Sequence, residues 1–389
     1  MKIKEIRAVN VKIPSNVKTE GRRDPWVKDA EVANPMSRYP RYKRYRPSWQ
    51  PKNWGSVWVQ VIAEDGTWGL GQTGFGRPVA AIVDDHFAPK LEGESVFAID
   101  RCWDMMFRMS KPYGSSGLAS CAMSAVDLAL WDLNGKLKGQ PVYELLGGPT
   151  QDRMRAYATG NDTDWQLELG FEAVKLACPY GPVDGLKGLD DNEALIAKTR
   201  ELVGDQVEIM LDCYMAFDVE YTIRLAQRIR PYNLKWIEEY LIPEDIDGHL
   251  AVREAVNWVS LASGEHMYSH YPYMRIIKDG SLDILQPDIN WVGGLTPTRK
   301  IAYAAEAAGL QVLLHGGANN VFGQHFTYAS TCSPWIENFV GSAPGIPLRE
   351  VYPPWQAIVE DGYIVPNDAP GFGIDVKEDS VSPFDYSPR

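Results

Sequence analysis

The chain has 389 residues, 45% of them hydrophobic, which is enough for two domains and a sizeable core. Its formal net charge of −12 argues against a general binder of nucleic acid or of anionic membranes. Five cysteines without CxxC spacing point to a reducing compartment rather than a disulfide framework.

The first residues, Met-Lys-Ile-Lys-Glu-Ile-Arg, are charged and alternating, so 2–13 reads as a strand and not as a secretion signal. No run approaches the roughly 18 apolar residues of a membrane span, and a cytoplasmic location is expected. Residues 55–72 predict a hairpin turning at Asp65-Gly66. Between these strands lies an irregular stretch, 15–54, too long for a mere connection. It holds Arg22, Arg23 and the Arg/Tyr run from Asn34 to Arg46, and it reads either as a solvated loop or as a lid whose cations meet an anionic substrate. The overall acidity sets aside an RNA-binding reading of that run.

Residues 78–146 predict helices, and Ser120–Gly135 places Ala122, Val126, Ala129, Leu130 and Leu133 on one face. Gly147-Gly148-Pro149 breaks the pattern and sets a domain boundary after residue 148. Short strands and helices then alternate, with strands predicted at 155–159, 172–178, 207–212, 234–238, 259–264, 282–287, 311–315 and 336–340. Eight such strands predict a (β/α)7β TIM-type barrel over 149–344, behind an N-terminal α+β capping domain over 1–148. The Pro- and Gly-rich tail, 345–389, is expected to return to the cap.

Successive barrel strands end in Asp212, Glu238, Glu265, Asp288 and His315, separated by 26, 27, 23 and 27 residues. Strand ends of a barrel converge on one mouth. Asp212, Glu238 and Glu265 offer oxygen ligands suited to a hard cation such as Mg²⁺, and no Cys/His cluster suited to zinc is present. Because neighbouring strand residues face opposite ways, only one of Glu238 and Glu239 is expected to face the mouth. Asp288 beside His315 would orient the imidazole and raise its basicity. His266 follows Glu265 and is placed either to donate to a substrate oxygen or to support the site. The remaining histidines, His86, His249, His270 and His325, read as structural.

These residues resemble the enolase superfamily in its mandelate racemase-type branch. The likeness rests on Ala125-Val-Asp-Leu-Ala-Leu-Trp-Asp132, Pro141-Val-Tyr-Glu-Leu-Leu-Gly-Gly148, Trp236-Ile-Glu-Glu239, Gly264-Glu265, Gln286-Pro-Asp288, Gly293-Gly294 and Leu314-His315-Gly316. Within the branch it is nearest the L-rhamnonate dehydratases and related acid-sugar (aldonate) dehydratases, through Pro35-Met-Ser-Arg-Tyr39, Tyr157-Ala-Thr-Gly160, Ser263-Gly-Glu-His266 and Pro370-Gly-Phe-Gly373. The resemblance implies Mg²⁺ on Asp212, Glu238 and Glu265, acid/base work by His315 with Asp288, and substrate contacts from Arg46, His266 and Glu337. It also implies assembly of copies, from dimers to octamers. Many members carry Lys-x-Lys on the second barrel strand. Here it reads Val174-Lys175-Leu176-Ala177, which leaves Lys175 as a substrate ligand and disfavours a two-base racemase. No histidine precedes His86, unlike the early lid histidine of the L-rhamnonate dehydratases. The expected activity is dehydration of an aldonic acid to a 2-keto-3-deoxy acid, with hydroxyl stereochemistry read by side chains such as Tyr214 and Trp291. A di-acid sugar dehydratase or epimerase, and a non-catalytic sugar-acid binder, are the alternatives.

Overall fold

The structure is a computed structural model and describes residues 1–13, 20–28, 30–43, 49–51 and 54–387. Strands β1 (Ile3–Val11), β2 (Val57–Ala63) and β3 (Trp68–Thr73) form an antiparallel meander, with the β2–β3 turn at Asp65-Gly66. Among the described residues, eight further strands alternate with seven helices: β4 (Met154–Thr159), β5 (Ala173–Ala177), β6 (Glu208–Asp212), β7 (Trp236–Glu238), β8 (Ser260–Ser263), β9 (Ile284–Leu285), β10 (Gln311–Val312) and β11 (Trp335–Phe339). All eight predicted barrel strands are present. They pair in parallel in the order β10-β9-β8-β7-β6-β5-β4-β11, and the Val312 N–H donates to the Cys332 carbonyl at 3.0 Å where the sheet curls round to meet itself.

Each strand sends one apolar side chain into a single buried cluster: Tyr157, Ala173, Met210, Trp236, Ala262, Ile284, Leu313 and Trp335. Side chains on a strand alternate, so the residue two further on points into the same interior. Two residues above this layer lie Thr159, Lys175, Asp212, Glu238, Gln286, His315 and Glu337. The apolar floor of the barrel therefore fixes where the polar side chains of its mouth emerge.

The tail divides its contacts. β12 (Tyr363–Ile364) pairs with β4, and Leu348, Val359 and Ile364 pack with Met154, Ala156 and Phe171 of the barrel. Only beyond these does the chain reach the cap, where the Val142 N–H donates to the Gly371 carbonyl at 2.8 Å and β13 (Val381–Pro383) pairs antiparallel with β1.

The helix Leu118–Lys138 departs from expectation. The expected apolar face of Ala122, Val126, Ala129, Leu130 and Leu133 is buried, but so is every other residue from Ala119 to Gly135. It lies between the meander and the barrel, so both faces are covered. β3 approaches it closely enough that a Cβ at Gly69 or Gly71 would strike the backbone carbonyls of Ala129 or Ala125. On its far side Asp127 accepts from the Thr296 N–H at 2.9 Å, at the start of the helix Leu295–Ala307, where a carboxylate satisfies a free donor. The Ser124 hydroxyl accepts from the Gly293 N–H at 2.8 Å. No described helix is long and apolar enough to cross a membrane.

The four histidines read as structural lie away from the mouth carboxylates; His249 bonds the Tyr240 hydroxyl at 3.1 Å, and His86 that of Tyr113 at 2.7 Å. His325 is fully buried, its Nδ1 accepting from the Tyr143 N–H at 3.3 Å, and burial pushes its pKa down to about 3. The unfolded chain protonates this histidine below about 6.5 while the folded chain does not. Stability is thus present above that value and lost as pH falls toward 3. Between pH 6.5 and 5 the loss is about 2 kcal/mol. Replacing His325 by Gln, which keeps an acceptor, is expected to flatten the fall of melting temperature from pH 7 to pH 5. Equal slopes for the two proteins would disprove the assignment.

Candidate active site

The strand ends bring together a buried carboxylate cluster. Asp212 and Glu238 are register partners on β6 and β7, and Asp212 accepts from the Tyr214 N–H at 2.9 Å. Glu265 follows Gly264, whose φ of +149° interrupts the alternation of β8 and admits no side chain, a Cβ there lying 2.9 Å from the Gln286 nitrogen. His315 Nδ1 donates to Asp288 at 2.7 Å, and its Nε2 lies 3.4 Å from Glu265.

Glu239 corrects the expectation that only one of the paired glutamates faces inward. β7 ends at Glu238, and Glu239 adopts a left-handed φ of +45°, which breaks the strand alternation. Both carboxylates are buried. Glu239 accepts from His266 Nδ1 at 2.8 Å, and its other oxygen is buried with no hydrogen-bond partner among the described residues. Donor atoms of Glu239, Glu265 and His266 all lie within 4.8 Å of one another, a grouping able to hold a metal ion.

Residues 162–380 match the sequence profile of enolase C-terminal domain-like proteins, and 52–147 match that of the mandelate racemase/muconate lactonizing enzyme N-terminal domain. The chain belongs to the enolase superfamily. This superfamily member is 40% identical to the L-rhamnonate dehydratase of Saccharopolyspora erythraea, over 96% of either chain. It is also similar to the crystal structure of rhamnonate dehydratase from Gibberella zeae complexed with Mg, at 34% identity and a TM-score of 0.89, covering 99% of this chain and 97% of that one. A racemase from Streptomyces coelicolor with bound magnesium is 26% identical with a TM-score of 0.78, covering 96% and 97% of the two chains.

Two residues of this enolase-superfamily chain expected to touch substrate, Lys175 and Glu337, have partners inside the barrel. The Lys175 ammonium is fully buried and pairs with Glu238 and, at 2.8 Å, with Glu337. Glu337 also accepts from Thr159 and from the Gly316 N–H at 2.8 Å. One ammonium cannot neutralise two carboxylates. Burial raises Glu337, but Lys175 and His315 outweigh it and hold it down at about 2. Glu238 is left raised to about 8, by burial and by its neighbours Asp212 and Glu337 against the pull of Lys175. Burial and Glu265 likewise push Glu239 up to about 7. Desolvation opposes charge on both imidazoles, yet Glu265 and Asp288 hold His315 well above its ordinary value, and Glu239 and Glu265 raise His266 to about 9.

Aromatic rings complete the site. Trp291 lies 5.3 Å from His315 and 5.6 Å from His266, and Tyr214 meets His266 edge-on at 5.5 Å. Arg46 lies outside the described residues. Three cations of the described part of the lid meet protein carboxylates. Arg22 pairs with Glu168, Arg23 with Asp162 and Asp164, and Lys43 with Asp184. With the Ala33 N–H donating to the Cys178 carbonyl at 2.8 Å, these pairs seat the lid beside the ends of β4 and β5. Sequence reading missed Gln286, which donates to Glu238 at 2.7 Å, and Thr159. Both follow from the alternation once the register of the apolar layer is known.

Proposed function

We propose that the chain is a Mg²⁺-dependent dehydratase of an aldonic acid, removing the C2 proton and expelling the C3 hydroxyl to give a 2-keto-3-deoxy acid. The observation that carries this reading is the Asp288–His315 pair, whose outer nitrogen lies 3.4 Å from Glu265. An imidazole locked by a carboxylate beside an acidic cluster can take a proton next to a carboxylate-bearing carbon. The similarity to L-rhamnonate dehydratase across nearly the whole chain supports the substrate class.

Asp212, Glu238 and Glu265 would hold the cation. The donor chemistry fits a hard divalent ion, being oxygen-rich and sulfur-free. An ionised carboxylate offers about four acceptor positions. Lys175, Trp236 and Gln286 occupy three of those on Glu238. The partnerless Glu239 oxygen and the raised Glu238 and Glu239 mark the surplus negative charge that a cation would offset. When bound, the cation supplies Lewis-acid stabilisation of the charge developing on the substrate carboxylate. Lys175 and Glu337 act beneath the site, steadying Glu238 and the Gly316 backbone.

In this reading His315 abstracts the C2 proton, and Asp288 fixes its tautomer and stabilises the imidazolium. His266, held by Glu239, or the newly protonated His315 delivers the proton that departs with the C3 hydroxyl as water; the enol then tautomerises to the ketone. The interior position Ala177, level with Asp212, carries only a methyl, which disfavours a second base and hence epimerisation. Tyr214 and Trp291 border the substrate carbons. Mono- and di-acid sugars incubated with enzyme and Mg²⁺, with 2-keto-3-deoxy products measured, test the reading. Turnover of an aldonate that EDTA abolishes and Mg²⁺ restores is expected. A product only from di-acids, or activity indifferent to chelation, would overturn it.

A further inference from the structure

Glu239 is 2% exposed, and one of its carboxylate oxygens has no hydrogen-bond partner among the described residues. A buried carboxylate oxygen that meets neither water, donor nor cation is costly to keep. The other oxygen accepts from His266 Nδ1 at 2.8 Å. Glu265 completes a group of three. Its Oε1 lies 3.4 Å from His266 Nδ1, while its Oε2 lies 3.4 Å from His315 Nε2. This carboxylate therefore presents one oxygen to each imidazole.

Spacing and charge both suit a cation. Donor atoms of Glu239, Glu265 and His266 all fall within 4.8 Å of one another. A four-coordinate dication with ligands at about 2.1 Å spaces those ligands about 3.4 Å apart. Small side-chain adjustments close the difference. Six buried carboxylates gather at this end of the barrel: Asp212, Glu238, Glu239, Glu265, Asp288 and Glu337. Lys175 and two protonated imidazoles would offset only half of that charge, and one dication still leaves an excess. The donors also differ in kind from the all-oxygen set of Asp212, Glu238 and Glu265. An imidazole nitrogen suits Zn²⁺, Co²⁺ and their first-row neighbours, whereas Mg²⁺ prefers an octahedron of oxygens. Tyr214 and Trp291 flank the His266 ring at 5.5 and 5.6 Å and hold it in place.

We propose that Glu239, Glu265 and His266 form a second cation site, selective for a borderline first-row dication such as Zn²⁺ or Co²⁺ over Mg²⁺. The ion takes the place of the His266 Nδ1 proton, which leaves to solvent, and it engages the otherwise unsatisfied Glu239 oxygen. Glu265 is shared, so the inference rests on the assignment of Asp212, Glu238 and Glu265 to Mg²⁺. Occupancy withdraws His266 from proton transfer, which makes the second site inhibitory for the dehydratase.

Co²⁺ is the probe, because its visible bands are far stronger in a four-coordinate site containing nitrogen than in a six-coordinate oxygen site. Metal-free protein is dialysed against Co²⁺ without substrate, and the bound ion is counted per chain. Wild type is expected to hold two Co²⁺, one of them with intense bands that excess Mg²⁺ leaves in place. Glu239→Gln and His266→Gln are each expected to hold one, with weak bands only, and that remaining ion reports an intact fold. One Co²⁺ in wild type that Glu239→Gln retains, two in all three proteins, or intense bands that Mg²⁺ removes, overturns the inference alone. One Co²⁺ in wild type that Glu239→Gln abolishes at unchanged melting temperature overturns the Mg²⁺ assignment and this inference together.

Discussion

Replacing His315 by Asn is expected to lower kcat on the best aldonate roughly 10³-fold, within the range that a positioned general base contributes. Asparagine preserves size and polarity but cannot accept the C2 proton. Its partner Asp288 would remain in place, as would the carboxylates of Asp212, Glu238 and Glu265 on neighbouring strands. Mg²⁺ affinity, measured by calorimetry without substrate, should therefore change by no more than about threefold. This combination separates loss of a base from collapse of the site. Turnover within tenfold of wild type would remove His315 from the proton transfer.

The second large effect concerns stability rather than rate. Lys175→Met should leave Glu238 and Glu337 buried side by side without their shared cation. Removing one partner of a buried ion pair typically costs 3–5 kcal/mol, because the remaining charge has neither water nor a counterion. Both carboxylates are at most 2% exposed, so solvent cannot compensate. Urea denaturation of the metal-free protein should show a loss of about that size. Met is close to Lys in shape, which confines the change mainly to charge. A loss below about 1 kcal/mol would mean that the two glutamates are protonated together in the folded protein and that Lys175 is not their counterion.

What could be read from the residues alone divides along one physical line. Strand alternation is local and strict, so Asp212, Glu238 and His315 were legible as interior positions once eight strands were counted. Glu239 was not, because its placement depends on a left-handed residue just past β7 where no glycine advertises the break. Lys175 and Glu337 looked like substrate ligands because their type and strand were visible but their mutual distance was not. They lie on β5 and β11, which flank β4 on either side, and only barrel closure brings them to 2.8 Å. The helix Leu118–Lys138 hid its all-round burial for a related reason: Ser124, Asp127 and Asp132 find their partners in Gly293, Thr296 and Leu70, all far along the chain. The lid pairs of Arg23 were equally hidden, since Asp162 and Asp164 stand far along the chain from it.

The pairing of β13 with β1 bears on how the molecule is made. Asn10 donates to the carbonyl of Pro383, and these residues are 373 positions apart. At ribosomal speeds of about 5–20 residues per second, the outer edge of β1 waits roughly 20–75 s for its partner strand. During that interval β1, β2 and β3 can assemble, but one row of backbone donors and acceptors stays open, and such an edge recruits strands from other chains. The cap is begun first and finished last. The nascent chain therefore carries an open edge at β1 until β13 has been made, away from the barrel where the chemistry resides.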